Sequence, residues 1–382
     1  MAKSRLEIVT PRPRGVAAPI PVARRIQGIK PYATVSSRQL IDAHPDRPVF
    51  KIDWNEATVP PSQKVVEAIT QFMQTPHHLN WYPELNSHGL ADKLASHHGL
   101  NADQFLVTNG SDDGLNTLCT TYLDDEDCVL VASPTYLHFL VFVQARGATV
   151  SHHYGRDPFK ADLSGLIKRA DQTRPRIIYL ANPNNPTGVM YSNEQLASLL
   201  DAHPNSLLIV DEAYSEFSGQ SAVELLQSYS NLVVSRTFSK AYGMAGLRVG
   251  YLMADSRVIS DLRRVFNPKN VNALAQVAAG AALEDQAWLD WYLGEVNASK
   301  AYIEQWFADR KLPFRMTPGN FFMVKVDQAP WVVRRLQDEG VYVRDRSGIP
   351  SLDGYIRFSI GLRSQTVQVL DRFENVLKSM AL

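Results

Sequence analysis

The chain has 382 residues, with 39 Lys+Arg against 39 Asp+Glu, so its formal charge is zero. At 45% hydrophobic residues it can bury a full core, which excludes a largely disordered protein, and its neutrality argues against nucleic-acid recognition over a basic surface. Two cysteines, Cys119 and Cys128, exclude a disulfide scaffold or a Cys-rich zinc module, and no apolar run approaches the roughly 18 residues of a membrane span. The expectation is a cytoplasmic globular enzyme acting on a small molecule, with no nucleic-acid or membrane partner.

Residues 1–30 carry seven basic residues against one acid, Glu7. Pro11, Pro13, Pro19 and Pro21 would break the amphipathic helix of a transit peptide, so this segment is expected to be a flexible or partner-draped arm. Beyond residue 50, short apolar runs alternate with helical patterns. Phe105–Val107, Cys128–Ala132, Arg176–Leu180, Leu207–Val210, Leu232–Val234 and Gly250–Met253 predict buried strands of a mostly parallel sheet with flanking helices. From about residue 256 the pattern is more helical. It then yields apolar runs at Phe321–Val326, Gly340–Arg344 and Tyr355–Ile360, which predict a smaller C-terminal α/β domain. The expected organisation is an arm over 1–50 joining the small domain, a large domain over 51–270 and a small domain over 271–382.

Ligands of such α/β sheets bind at the carboxyl ends of the strands, and Asp112, Asn185, Asp211 and Lys240 fall there. Three segments stand out: Asn182-Pro-Asn-Asn-Pro-Thr-Gly188, Asp211-Glu-Ala-Tyr214, and Ser235-Arg-Thr-Phe-Ser-Lys240 followed by Arg248. Taken singly they read as turns, a helix cap and solvated cations. Their spacing changes that. Asp211 and Lys240 lie 29 residues apart, about one strand–helix–strand unit, so both emerge at the same edge of the sheet. A lysine near a carboxylate and a ring of hydrogen-bonding groups suits an aldehyde cofactor, and pyridoxal 5'-phosphate asks for that pair plus donors for its phosphate. Gly110-Ser111-Asp112 would open a helix whose free N–H groups attract phosphate. The pairs His77-His78, His97-His98 and His152-His153 are poorly placed to chelate one ion, because adjacent side chains diverge; no metal is expected.

This ordered set resembles the fold-type I pyridoxal-phosphate enzymes, specifically the class I/II aminotransferases, and within them the histidinol-phosphate aminotransferase group. The resemblance runs from about residue 29 to 378. It implies that Lys240 forms the Schiff base with the cofactor and shuttles the substrate's proton, and that Asp211 keeps the pyridine nitrogen protonated. Asn185 and Tyr214 would hydrogen-bond the phenolic oxygen, and Tyr136 would stack on the ring. Gly110, Ser111, Asp112, Thr237, Ser239 and Arg248 would form the phosphate cradle. Tyr82, in Trp81-Tyr82-Pro83-Glu84, would reach the phosphate of the other subunit, which implies a homodimer with shared active sites. Arg357 and Arg344 would grip the substrate's carboxylate or phosphate, with Asn185 beside them and Tyr32 helping to cover the site.

Some positions depart from the family pattern. The residues after Asn55-Glu56 are changed, Leu362-Arg363 follows Gly361 where Thr is common, and Trp81 replaces a common Arg. All are expected near the substrate, so the chemistry stays intact while the substrate stays open. Histidinol-phosphate-type transamination leads. Decarboxylation of a phosphorylated amino acid, and a specialised reaction on another amino acid, including a cationic one, remain alternatives.

Overall fold

The computed structural model describes residues 20–30, 37–42 and 48–380. Tyr32 and most of the basic arm lie outside the described residues. Strand β1 (Phe50–Lys51) opens the body of the chain. A seven-stranded sheet follows from β2 (Phe105–Thr108), β3 (Cys128–Ser133), β4 (Thr149–Tyr154), β5 (Ile177–Ala181), β6 (Leu207–Asp211), β7 (Leu232–Thr237) and β8 (Gly250–Ala254). Its order is β2-β8-β7-β6-β5-β3-β4. The pairs β3–β4, β3–β5, β5–β6 and β6–β7 are parallel, while β8 runs antiparallel to both its neighbours. Every residue of β5, β6 and β8 is buried, as apolar runs covered on both faces require.

Helices cover the sheet on two sides and give two separate apolar clusters. One face packs Leu106, Leu115, Leu118, Ile177, Ile209 and Leu262. The other packs Leu94, Leu130, Leu180, Val210 and Val234, and it continues without a break into Phe307, Phe322 and Phe358 of the C-terminal part. Polar caps start several of these helices. The Ser62 side chain accepts from Val65 N, Asn272 from Ala275 N, and Ser192 forms a reciprocal box with Gln195.

The C-terminal part holds β9 (Phe314–Met316), β10 (Phe321–Lys325), β11 (Val341–Tyr342), β12 (Arg344–Asp345) and β13 (Tyr355–Ser359). Four of them form an antiparallel sheet in the order β12-β13-β10-β9. The fifth, β11, pairs in parallel with β1, setting Phe50 beside Val341. Residues 50–51 are thereby stitched to the C-terminal part before the chain enters the large sheet. Helix Ala273–Leu283 packs on helices Gln63–Gln74 and His88–His98, and the long helix Gln286–Arg310 crosses to pack on Arg363–Met380. No described helix is long and apolar enough to cross a membrane.

Candidate active site

The parallel strands deliver their carboxyl ends to one edge. β6 ends on Asp211, β5 leads to Asn185, β7 leads to Ser239 and Lys240, and β3 leads to Tyr136. Because β8 is antiparallel, its beginning lies at that same edge, so Arg248, two residues before Gly250, joins the group. These side chains line a single cleft of about 560 Å3, closed on its far side by Arg344, Arg346 and Arg357 from the C-terminal sheet.

At the floor of the cleft, Tyr179 OH donates to Asp211 Oδ2 at 2.8 Å. The other oxygen, Oδ1, is buried and has no hydrogen-bond partner among the described residues. Burial pushes the Asp211 carboxyl up to about 6. Lys240 Nζ donates to the Trp54 carbonyl at 2.8 Å. Burial first, and then the nearby Arg357 cation, push this lysine down to about 8. An orphaned carboxylate oxygen and a lysine whose charged form is disfavoured thus face one cavity.

Beside them lies an anion cradle. Ser111 opens the twelve-residue helix Ser111–Tyr122, whose first backbone N–H groups have no intrahelical partner. Thr237 Oγ1 donates to Ser239 Oγ at 3.0 Å, and Arg248 Nη1 donates to the same oxygen at 3.3 Å. Gly110 sits at φ +81°, where a Cβ would lie 2.5 Å from Arg248 Nη2, so only glycine lets the arginine approach this closely. The Asp112 side chain accepts from Tyr136 OH at 2.8 Å and pairs with Arg248 at 3.6 Å. Asp112 therefore orients a donor and an aromatic ring. Hydroxyls, a helix N-terminus and an arginine fit a phosphate; the free Asp211 Oδ1 fits a protonated ring nitrogen. The donor set suits pyridoxal phosphate.

On the opposite wall, Tyr214 OH accepts from Asn55 Nδ2 at 3.0 Å and from Asn185 Nδ2 at 3.2 Å. Burial raises the Tyr214 phenol, against the pull of the Arg357 cation. Arg357 is only 3% exposed and donates to Asn185 Oδ1 at 2.6 Å and to the Asp53 carbonyl at 2.5 Å. Across the β12–β13 pair, Arg344 lies opposite Arg357 in register. Arg346 follows two residues later and also lines the cleft.

Most expected site residues thus come together; within one chain Tyr82 does not. Tyr82 is 81% exposed and lines a different groove beside Phe72, His78 and Trp81, with Lys269 Nζ 5.1 Å from its ring centroid. Tyr32 falls outside the described residues. Other residues enter the site unannounced. Arg346 shares a strand face with Arg344 by the period of two, a signal the sequence did carry. Asn55 is fully buried at φ +55°, a conformation asparagine tolerates, and ties Tyr214 to Ser359. Trp54 and Glu56 line the cleft beside it. The histidine pairs do not converge: His98 meets Tyr251 OH, His152 meets Ser133 Oγ and His153 meets Asp162.

Residues 47–372 match the family model described as aminotransferase class I and II. The chain is 32% identical over 360 residues to a dihydroxyacetone phosphate transaminase of Campylobacter jejuni, covering 93% of this chain and 97% of that one. It is 34% identical over 375 residues to a histidinol-phosphate aminotransferase of Moorella thermoacetica, with 94% of each covered. Among solved structures, histidinol-phosphate aminotransferase from Sinorhizobium meliloti, in complex with pyridoxal-5'-phosphate, superposes with a TM-score of 0.87 at 26% identity. That match covers 96% of this chain and all of the other.

Proposed function

Because this chain belongs to the class I and II aminotransferases, we propose that it moves an amino group between an amino acid donor and a carbonyl acceptor bearing a phosphate monoester, using pyridoxal phosphate held at Lys240 and Asp211. The observation that carries the phosphate reading is the in-register pair Arg344 and Arg357, joined by Arg346, in the cleft that holds Lys240. Like charges directly opposite on paired strands destabilise the free protein, and an anion lying between them offsets the repulsion. Dihydroxyacetone phosphate, named for one relative, is such an acceptor, and histidinol phosphate, named for another, is the amine counterpart of one.

When bound, the cofactor supplies an electron-accepting ring beside the substrate carbon that bears nitrogen. The chain's own groups do the rest. Asp211 Oδ1 would hold a proton on the ring nitrogen, Asn185 and Tyr214 would hydrogen-bond the ring oxygen, and Tyr136 would pack against the ring. Ser111, Thr237, Ser239, Arg248 and the backbone at Gly110 would hold the phosphate, with Asp112 fixing Arg248. Lys240 Nζ, kept partly neutral by burial and by Arg357, takes the proton from the amine-bearing carbon and returns it. Arg357 and Arg344 orient the substrate's anion.

The reading extends to a homodimer. Tyr82, Trp81, Leu79 and Leu85 are all exposed on one stretch of chain, and a second copy covering it would carry Tyr82 to its neighbour's cleft. A half-reaction screen tests the function. Glutamate should convert the bound cofactor's spectrum to its amine form, and phosphorylated aldehydes or ketones should convert it back. Release of carbon dioxide from a phosphorylated amino acid without conversion by glutamate would replace transamination with decarboxylation. Lys240→Ala should lose both the visible absorbance and turnover.

A further inference from the structure

Trp54 stands between the two chemical poles of the cleft. Its main-chain carbonyl accepts from Lys240 Nζ at 2.8 Å, while its indole reaches the distal cations. The Arg344 guanidinium carbon and Lys51 Nζ each lie 5.9 Å from the ring centroid. One residue therefore spans the distance from the reacting amine to the anion-binding wall. Trp54 is 37% exposed and lines the cleft.

The backbone around it is fixed on both sides. Ile52 N donates to the Tyr342 carbonyl at 3.0 Å, and the Ile52 carbonyl accepts from Ser359 N at 2.9 Å. The Asp53 carbonyl accepts from Arg357, Asn55 N donates to Ser359 Oγ at 2.9 Å, and Asn320 Nδ2 donates to the Asn55 carbonyl at 3.1 Å. Held this way, the main chain at residue 54 is pinned on both sides. The ring is already engaged by two cations, and so poorly available as a stacking platform for a further aromatic group that carries positive charge.

We propose that Trp54 selects substrate shape. Its indole stands on the cleft wall on the way from Lys240 to Arg344, so the site takes a phosphate monoester whose second substituent on the amine-bearing carbon is small and ring-free. The inference rests on the phosphate-ester reading above and specifies which esters qualify. Two amines isolate the effect. Serinol phosphate and histidinol phosphate share the unit in which the amine-bearing carbon is joined through one methylene to the phosphate ester. They differ only in the second substituent, hydroxymethyl in one and imidazolylmethyl in the other. The arginines face the same phosphate in both, so discrimination between them reports on Trp54.

The experiment measures the rate constant over dissociation constant for each amine in converting the holoenzyme's cofactor spectrum. Serinol phosphate should be favoured by about 10- to 200-fold, the range that fit of one substituent supplies. Trp54→Ala should reduce that ratio at least about tenfold, chiefly by raising the rate with histidinol phosphate. Trp54→Phe, which keeps an aromatic wall, should fall between the two and decides the matter if the alanine variant does not retain cofactor. A wild-type preference for histidinol phosphate, or a ratio that neither variant moves, overturns the assignment. If both esters react without discrimination, Trp54 loses its role while the phosphate-ester reading stands. If glutamate converts the cofactor and neither ester does, both fall together.

Discussion

Arg344 on β12 lies directly opposite Arg357 on β13, so two arginine side chains leave an antiparallel pair on the same face, at the wall of the cleft. Arg357 is anchored from behind by Asn185 and the Asp53 carbonyl, whereas Arg344 leans on the Trp54 ring. Removing the outer cation should therefore separate folding from binding. Arg344→Met is expected to leave the thermal midpoint of the apoprotein unchanged or slightly higher, since a repulsion is relieved. The same variant should weaken phosphorylated substrates by about 2 kcal/mol or more, as loss of a charged contact to a desolvated anion does. Thermal shift with and without substrate, together with half-reaction titrations, measures both. Unchanged affinity would remove Arg344 from the site.

Lys240 makes a pH prediction. An amine captures an aldehyde only when neutral, and burial with Arg357 nearby puts this one at about 8 against 10.5 for an ordinary lysine. The rate of cofactor capture by the apoenzyme should rise about tenfold per pH unit up to about 8 and then level off. Arg357→Met removes the second cause of the shift, so the break should move to higher pH. Stopped-flow absorbance across pH 6 to 10 gives the profile, and a rise continuing to pH 10 would contradict it.

How much of this was legible beforehand follows from what periodicity encodes. β5 and β6 are buried on both faces and show in the sequence as continuous apolar runs, so Asp211 could be placed at a strand end. β4 was not expected: among the described strands it pairs only with β3, and its Ser151-His152-His153 alternates in burial instead of forming an apolar run. The direction of β8 was also hidden, because burial is the same whichever way a strand runs. That direction is nevertheless what brings Arg248 to the cradle. Asn55 and Trp54 carry no periodic signal; their roles arise from contacts with residues about 160 to 300 positions away. Arg346 could have been found by its i+2 spacing from Arg344, and the stretch around Asn55-Glu56 is expected near the substrate only through the family pattern.

Asp211 links cofactor binding to stability. Its folded value of about 6 lies above the ordinary 3.8, so folding of the apoprotein favours the neutral form relative to the unfolded chain. That contribution is fully present below 3.8 and is lost as pH rises through about 6, a difference of about 3 kcal/mol at most. A protonated ring nitrogen at Oδ1 offsets the cost of the buried charge. The rise in thermal midpoint on adding cofactor should therefore grow between pH 5 and pH 7.5. Asp211→Asn should flatten that increment, and an equal growth in the variant would assign it to other groups.

Behind the cleft, Arg236 donates from Nε to Glu212 Oε2 at 3.0 Å and lies 3.8 Å from Glu216. Glu212 also accepts from Ser221 Oγ at 2.8 Å and from Ala222 N at 2.5 Å, so the ion pair ties β7 to the segment after β6. These are the two elements that carry Lys240 and Asp211. Arg236→Met leaves two buried carboxylates without their cation and should cost about 3–5 kcal/mol by denaturant unfolding. Loss of the strut should also weaken cofactor retention on dialysis. A variant of normal stability would show that packing alone holds these strand ends.

Tyr82 gives the test of the shared site. Within one chain it lies in a groove apart from the cleft, so its proposed contact with a cofactor phosphate requires a second copy. Tyr82→Ala alone should weaken cofactor binding, and Lys240→Ala alone should be inactive. When the two variants are co-expressed with different tags, each mixed dimer holds one cleft with both residues intact and one with neither. Isolated mixed dimers should therefore show about half of wild-type activity per dimer, with one tight and one weak cofactor site. Activity equal to the average of the two parents would mean that Tyr82 acts in its own chain or not at all, and the exposed Leu79, Trp81 and Leu85 would then need another occupant.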